Sequence, residues 1–283
     1  MDAELKNLRT RTSISGDRRQ WRRTLSTTMD RDPPEQPLRG GNSSADVVRV
    51  GDTVRRSAMP WSASIDALLL HLESVGYEAS PRALGYDDRG RQVLSYVEGF
   101  VDPSPMDLGL ARVREVGTRI REFHDAVRTF VPPDGAIWNV LIPPDATEII
   151  CHHDLAPWNL VRTTTTLTFI DWDGAGPGSR LWDLAYAAHG FVPMGPDAQL
   201  GDETAGLRLA ALVDGYGLDA VERLELVNML EPRIRSMHDF LRRAHETGDE
   251  PWSTLWSDGH GEAWQSNARY AEQRREIWEN ALL

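Results

Sequence analysis

Three polar side chains in the middle of the chain have the types and spacing that phosphoryl transfer requires. Asp154 and Asn159 lie five residues apart in a loop after the apolar run 149–151, and Asp171 follows a second apolar run twelve residues later. A carboxylate beside the attacking hydroxyl, with an asparagine and an aspartate holding Mg²⁺ on the phosphate oxygens, is the set of groups that transfer from ATP uses. These residues predict Mg·ATP-dependent phosphoryl transfer.

A polar surface loop followed by the end of a hairpin is the alternative without chemistry. That alternative must account for apolar strands that each end in a carboxylate or an amide at the required spacing. We therefore favour the catalytic interpretation.

The elements predicted around these residues divide the chain into two lobes. Apolar residues alternate or recur at helical spacing, and glycines and prolines mark the turns. The predicted N-terminal elements are a hairpin over 47–56, a helix over 62–76, and strands over 81–86 and 92–97. The predicted C-terminal elements are a helix over 108–127, strands within 149–170, and helices over 181–190, 203–216, 219–247 and 262–282. The fold class is therefore α+β, with a small β-rich lobe over 38–99 and a larger helical lobe over 100–283.

Residues 1–37 differ from the rest of the chain. They contain a basic run at 18–23 and Pro33, Pro34 and Pro37, with almost no apolar periodicity. This composition predicts a disordered basic leader. A basic targeting segment, or translation that begins at Met29, are the alternatives.

Two stretches carry a resemblance to a known family. Residues 151–159, CHHDLAPWN, contain the HxDxxxxN spacing of kinase catalytic loops, and residues 169–178, FIDWDGAGPG, contain the aspartate that follows. With 181–186, they resemble the aminoglycoside phosphotransferase family, a small-molecule branch of kinase-like enzymes that includes choline kinases. The resemblance runs from about Gly40 to the C-terminus and implies a protein-kinase-like two-lobed fold with ATP and Mg²⁺ as cofactors.

The same resemblance implies a role for each residue of the motif. Asp154 would be the catalytic base, and His152, grouped with it in the catalytic site, would brace the catalytic loop. Asn159 and Asp171 would be Mg²⁺ ligands. Asp173 would be a second carboxylate near the metal or the substrate.

Further residues near the motif have two interpretations each. Asp183 would hold the loop by hydrogen bonds, or it would cap the helix that starts near it. His153 would contact phosphate or substrate, although a packed or solvent-facing imidazole is the simpler interpretation. Trp158, Trp172 and Trp182 would line the cleft or pack beneath the loop.

The nucleotide side requires a cation, and the chain has Lys6 as its single lysine. Kinase-like folds place this cation on the third strand, oriented by a glutamate on a helix. Strand alternation puts Val54 and Arg56 on one face, so Arg56 is the candidate and Glu73 its predicted partner. Arg49 or Arg55 would serve instead if Arg56 is a solvated strand residue.

The segment that joins the lobes is the candidate adenine site. Ser95 to Val97 precede Glu98 and Gly99, where a hinge would offer backbone groups to the base. The loop Gly40 to Ser44 is a weak signal for a glycine loop over the phosphates.

The predicted acceptor is a small molecule with a hydroxyl group. Eleven residues separate Asp171 from Asp183, which is too few for the docking segment that a protein substrate needs. An aminoglycoside-like acceptor is the first choice, and choline, ethanolamine, a sugar or an amino-acid alcohol are the alternatives. A non-catalytic nucleotide-binding protein is a further alternative, supported by the missing lysine alone.

The charge distribution adds an expectation about that acceptor. The net charge is −12, and the residues from 151 onward carry 21 Asp and Glu against 11 Arg. Such a field repels nucleic acid and attracts a cation, so an amine-bearing acceptor is predicted and a nucleic-acid partner is not. A solvated acidic surface is the alternative.

Two absences bear on the compartment. Cys151 is the single cysteine, which excludes disulfides within the chain. No apolar run approaches the roughly 18 residues of a membrane-spanning helix, and the N-terminus lacks an apolar signal core. We therefore expect a cytoplasmic protein with no membrane partner.

Overall fold

A computed structural model describes residues 33–38, 47–196 and 200–283. The chain divides into Met1–Pro34 and a larger unit, Glu35–Leu283, which contains all of the elements below. Residues 1–32 of the predicted leader and the predicted glycine loop at 40–44 lie outside the described residues.

An antiparallel sheet of five strands forms the N-terminal part of the larger unit. Its strands are β1 Gln36–Pro37, β2 Val48–Val50, β3 Thr53–Arg56, β4 Ala83–Tyr86 and β5 Gln92–Ser95. They lie in the order β1-β2-β3-β5-β4, with Val54 opposite Leu94 and Arg56 opposite Gln92. The predicted leader ends too late, because Gln36 and Pro37 pair with Arg49 and Val48 of β2.

One helix, α1 (Ser62–Ser74), accompanies this sheet, as the apolar spacing predicts. Ile65, Leu68, Leu69 and Leu72 recur at helical spacing and are fully buried in the core. The chain then turns at Gly76, whose positive φ of 85° suits a residue without Cβ.

The C-terminal part contains seven helices and five short strands among the described residues. The helices are α2 Leu110–Ala126, α3 Arg180–Phe191, α4 Asp202–Tyr216, α5 Ala220–Thr247, α6 Trp252–Ser257, α7 His260–Gln273 and α8 Arg275–Leu282. The strands are β6 Phe100–Val101, β7 Ile149–Cys151, β8 Leu160–Arg162, β9 Leu167–Phe169 and β10 Gly176–Gly178.

The prediction of one helix over 262–282 was wrong. Arg274 has φ −108° and ψ 18°, outside the helical range, and it separates α7 from α8. The additional helix α6 precedes Gly259, whose φ of 92° ends it. Apolar periodicity persists across both breaks, so the pattern alone does not reveal them.

Two small sheets in this part carry the polar loops. Strands β7 and β10 pair with each other, with Cys151 opposite Gly176. Strands β6, β8 and β9 form a second sheet, with Leu160 opposite Phe169. The loop after β7 therefore follows a strand of the first sheet, and the loop after β9 follows a strand of the second sheet.

Helices α2 and α4 pack with their backbones in direct contact. A Cβ atom on Gly117 would lie 2.0 Å from the Leu212 carbonyl oxygen, and one on Gly215 would lie 1.9 Å from the Arg114 carbonyl oxygen. Only glycine fits at both positions. The two helices thus form a close-packed pair beneath the polar loops.

Within 33–38, 47–196 and 200–283, no helix is both long enough and apolar enough to cross a membrane.

Candidate active site

The loop between β7 and β8 brings Asp154 and Asn159 together. Asn159 Nδ2 donates to the Asp154 carbonyl oxygen at 3.0 Å and to Asp154 Oδ2 at 2.7 Å. Both partners are acceptors, which fixes the nitrogen end of the amide. The amide oxygen of Asn159 therefore points away from Asp154 and can serve as a ligand for a cation.

His152 lies beneath this loop and connects it to the loop after β9. Its Nε2 bonds the Ile170 carbonyl oxygen at 3.1 Å, and its Nδ1 accepts from the Asp154 backbone N–H at 3.3 Å. Burial lowers the pKa of His152, although nearby carboxylates oppose the shift. The ring is therefore neutral, with its proton on Nε2, and it positions Asp154.

Asp183 holds the backbone of the same loop from α3. Its Oδ2 accepts from the His152 N–H at 2.9 Å, and its Oδ1 accepts from the His153 N–H at 2.8 Å. His124 Nε2 lies 3.2 Å from the carboxylate, and His124 Nδ1 lies 2.8 Å from the Tyr216 hydroxyl. Burial alone would raise the pKa of Asp183, but the bond and charge of His124 outweigh it and hold the pKa well below its usual range.

The sequence left open whether Asp183 holds the loop or caps the helix. Ser179 is the N-cap of α3, because its Oγ accepts from the Trp182 N–H at 3.2 Å. Asp183 lies one turn further on and holds the loop.

Two strained residues flank the site. Among the described residues, His153 and Asp171 are the only ones other than glycine with positive φ, at 66° and 60°. Such conformations are costly and persist at functional sites where the surroundings enforce them. His153 Nε2 lies 3.1 Å from the Pro177 carbonyl oxygen, so the packed interpretation of this imidazole agrees with the structure.

Carboxylates crowd around Asp171. This side chain keeps contact with solvent at the edge of the site, yet its pKa is raised to about 6. Shielding from water by the protein is the main cause, and the charges of Asp173 and Asp154 add to it, while Arg56 opposes it. We call Asp154, Asp171 and Asp173 the carboxylate cluster. Their oxygens and the amide oxygen of Asn159 are the type of donor that Mg²⁺ prefers, so the chemistry of these residues fits the predicted metal.

Arg56 reaches this cluster from β3. Its Nη1 and Nη2 bond the Asp173 carboxylate at 3.0 and 2.5 Å, and its Nε donates to Gln92 Oε1 at 2.8 Å. Gln92 Nε2 in turn donates to Asp66 Oδ1 at 2.5 Å inside the protein. The candidate cation thus binds Asp173, and Gln92, which Asp66 of α1 holds, orients it.

Glu73 is not the partner of Arg56, contrary to the prediction. Its carboxylate lies 3.9 Å from Arg82 Nε near the C-terminal end of α1, half-exposed. Asp66, which connects to Arg56 through Gln92, lies seven residues earlier, about 10 Å along the helix. The register of β3 against β5 decides the partner, because it places Gln92 directly opposite Arg56.

The alternative cations are engaged elsewhere. Arg49 Nη2 bonds Glu98 Oε1 at 2.7 Å, and Arg55 lies 3.7 Å from Asp87. Neither contact is part of the carboxylate cluster. Of the three candidates, Arg56 is the one that the structure brings to the site.

The predicted adenine contacts at Ser95 and Val97 differ in their outcome. The Ser95 N–H donates to the Arg82 carbonyl oxygen at 2.9 Å, and the Ser95 hydroxyl accepts from the Arg82 N–H at 2.8 Å. The Ser95 amide is therefore not available to adenine. Val97 takes part in none of the backbone hydrogen bonds among the described residues, so its prediction as an adenine contact stays open.

A buried arginine beside the loop between β7 and β8 was not among the predicted site residues. Arg233 of α5 lies 4.3 Å above the centre of the Tyr186 ring and 5.0 Å above that of Trp182, and its Nη2 bonds the His153 carbonyl oxygen at 3.3 Å. The Tyr186 hydroxyl lies beside Asp154, and burial with that charge holds the pKa of Tyr186 well above its usual range. The available signal was Pro232, a proline inside a long helical pattern directly before Arg233.

The sequence profile of the phosphotransferase enzyme family matches residues 64–227, which contain the loops just described. The chain belongs to this family. It is therefore a small-molecule phosphotransferase, as its motif predicted. The chain is similar in sequence to the trifolitoxin immunity protein of Rhizobium leguminosarum bv. trifolii, with 33% identity over an alignment of 269 residues. The alignment covers 87% of this chain and 97% of that protein.

Solved structures of phosphotransferases share the fold. A microcompartment-associated aminopropanol kinase is 17% identical with a TM-score of 0.59, over 86% of this chain and 93% of the kinase. A choline/ethanolamine kinase family protein from Mesorhizobium loti is 15% identical with a TM-score of 0.56, over 91% and 95% of the two chains. The predicted kinase-like fold, with a small sheet and a larger helical part, is confirmed.

Proposed function

We propose that this phosphotransferase moves the γ-phosphoryl group of ATP, with Mg²⁺, to a hydroxyl group of a small molecule. The observation that carries the proposal is the bond between Asn159 and the Asp154 carboxylate, next to the carboxylates of Asp171 and Asp173. Because the reaction consumes ATP, we place it in the cytoplasm.

The residues of this chain divide the work. Asp154 accepts the proton of the acceptor hydroxyl as that oxygen attacks, and Asn159 and His152 hold Asp154 in place. The Asn159 amide oxygen and Asp171 would hold magnesium, with Asp173 as a further carboxylate. Bound Mg·ATP supplies the phosphoryl group and the charge that balances these carboxylates. Arg56 binds phosphate oxygens from the β3 side.

The segment after Asp171 supports a small acceptor. Gly176–Gly178 pair with Ile149–Cys151, and α3 begins at Arg180. These ordered residues leave no long docking segment between Asp171 and Asp183.

The relative named as a trifolitoxin immunity protein supports a second candidate acceptor. The match spans nearly the whole of that relative. Trifolitoxin, or a toxin of similar chemistry, is therefore included among the acceptors to be tested, beside the aminoglycoside, choline, ethanolamine, sugar and amino-acid alcohol classes.

The predicted amine on the acceptor is a separate expectation. Two of the acids on which it rests are engaged within the fold, since Asp202 bonds Arg274 at 2.8 Å and Asp214 bonds both Arg223 and Arg114. If the remaining acids attract a cationic acceptor, its KM rises with ionic strength, because salt screens exposed charges.

Transfer from γ-labelled ATP to this acceptor panel, followed by mass spectrometry of the product, tests the proposal. We expect a product that requires both Mg²⁺ and Asp154. Magnesium-dependent nucleotide binding without transfer to any acceptor would favour the non-catalytic alternative. Failure to bind nucleotide at all would contradict the proposal.

A further inference from the structure

Arg56 is bound on two sides, and the two sides differ in burial. On the inner side, Arg56 Nε donates to Gln92 Oε1 at 2.8 Å, and Gln92 Nε2 donates to Asp66 Oδ1 at 2.5 Å. Gln92 is fully buried and Asp66 is 9% exposed, so water competes little for these bonds. On the outer side, Nη1 and Nη2 bond the Asp173 carboxylate at 3.0 and 2.5 Å. The inner contacts therefore fix the direction in which the two Nη groups point.

Asp173 has no second partner that could replace Arg56. Among the described residues, the Arg56 guanidinium is the one donor that bonds its carboxylate. The side chain is 21% exposed and belongs to the short turn Trp172–Gly174. Like charges lie nearby, since shielding from water raises the pKa of Asp171 to about 6 and the charge of Asp173 adds to that shift. Without Arg56, the Asp173 carboxylate would lie beside another carboxylate with no cation.

A phosphate group would need the donors that Asp173 covers. A guanidinium group offers two planar pairs of donors, Nε with one Nη and the two Nη together, and either pair fits two oxygens of a carboxylate or a phosphate. In Arg56 the first pair is engaged through Nε with Gln92, so the second pair remains. Asp173 occupies that second pair. Two-bonded phosphate binding therefore requires Asp173 to leave.

We propose that Asp173 is a displaceable counterion of Arg56, which gives up the two Nη groups to nucleotide phosphate and takes the metal cation in exchange. The inference rests on the proposed function, because it concerns the nucleotide and the metal of that reaction. Arg56 changes its partner without changing its place, since Gln92 and Asp66 hold Nε throughout. With Mg²⁺ the released carboxylate has a cation, and without Mg²⁺ it has none. Asp173 thus makes nucleotide binding depend on the metal.

A simpler effect must be separated from this exchange. Removal of any acid of the carboxylate cluster lowers the repulsion of phosphate, whether or not Arg56 takes part. Competition for the guanidinium group, in contrast, requires Arg56. A double-mutant cycle between Arg56 and Asp173 separates the two effects, because it measures the coupling between these positions.

Titration calorimetry of the full chain with a non-hydrolysable ATP analogue measures the exchange. Each protein is titrated once with Mg²⁺ and once with EDTA. In EDTA, Asp173→Asn is expected to bind the analogue tenfold or more tightly than the wild type. In the Arg56→Met background, the same substitution is expected to change the Kd less than threefold, because no guanidinium group is left to compete for.

Two further variants serve as controls. Asp87 is 10% exposed and accepts from Arg91 Nε at 2.8 Å, so it is also a shielded carboxylate bound to an arginine, outside the carboxylate cluster. Asp87→Asn should leave both Kd values within twofold of the wild type. Asp173→Ala repeats the test without an amide that could bond Arg56, and melting temperatures show whether each variant is folded.

Two outcomes would overturn the proposal. One is a gain in EDTA of less than threefold in both Asp173→Asn and Asp173→Ala. The other is the same gain with and without Arg56, which would leave charge repulsion as its cause. If the wild type binds the analogue with Mg²⁺ and the cycle shows no coupling, the exchange alone is refuted. If the wild type does not bind the analogue even with Mg²⁺, the proposed function is refuted as well.

Discussion

Arg56 and Asp173 form a two-bonded ion pair across 117 residues of sequence. Both side chains are largely shielded, at 11% and 21% exposure, so the pair is less screened than a surface ion pair. It joins the five-stranded sheet to the loop that carries the metal candidates. Nucleotide phosphates that bind here must compete with Asp173 for the same guanidinium.

Replacement of Arg56 should therefore affect the nucleotide more than the acceptor. Arg56→Met is expected to raise the KM for ATP by about tenfold, because a charge-assisted two-bonded contact is lost. Arg56→Lys should recover only part, since an ammonium group lacks the planar fork. Steady-state kinetics measure both effects, with Arg91→Met, one residue before β5, as the control. An unchanged KM for ATP would remove Arg56 from the nucleotide site.

Asp154 should act on turnover and not on nucleotide binding. Asp154→Asn keeps the size of the side chain and removes the base, so turnover should fall by about two orders of magnitude or more while the Kd for ATP stays the same. Asp125→Asn, on the exposed face of α2, is the control. A variant that retains most of its turnover would refute the assignment.

Asp171 predicts a pH dependence with a defined sign. Its pKa in the folded protein is about 6, so the carboxyl gains a proton, and loses its use as a metal ligand, as the pH falls through 6. Mg²⁺-dependent nucleotide binding should therefore weaken from pH 7 to pH 5. Titration calorimetry across this range measures the effect, and Asp171→Ala should abolish the metal dependence at every pH.

The Asp171 carboxyl also makes the stability of the metal-free protein depend on pH. Because the folded pKa exceeds the unfolded value of about 3.9, the folded protein binds more protons between these values and loses stability as the pH rises through them. In Asp171→Asn this contribution is absent. Without metal, Asp171→Asn should therefore gain melting temperature relative to the wild type as the pH rises from 4 to 7. A constant difference would show that the Asp171 carboxyl titrates normally.

Gly117 tests the backbone contact between α2 and α4. In Gly117→Ala the new Cβ would lie 2.0 Å from the Leu212 carbonyl oxygen, and neither backbone can move aside cheaply. We expect a loss of about 2 kcal/mol or more in the free energy of unfolding, measured with urea. Gly109→Ala, where a Cβ meets nothing within 4 Å, is the control and should cost little.

Local patterns predicted the fold, and they predicted that Asp154 and Asn159 belong to one loop. The spacing of Asp154 and Asn159 is short and is set by one loop, so it is visible in the sequence. The partner of Arg56 was wrongly assigned to Glu73, because β-sheet register and the position of α1 decide it over long sequence distances. Arg233 was missed for a related reason: Pro232 marks an irregularity in α5, but the burial of the next residue depends on packing against Trp182 and Tyr186 of α3.

The two ring nitrogens of His152 each hold a different loop, one through the Asp154 N–H and one through the Ile170 carbonyl group. Neither loop can open fully unless its hydrogen bond to this buried ring breaks. In hydrogen-exchange measurements, the amides of the two loops should therefore gain and lose protection together, as a single cooperative unit. The base and the metal ligands would then be assembled or lost in one step.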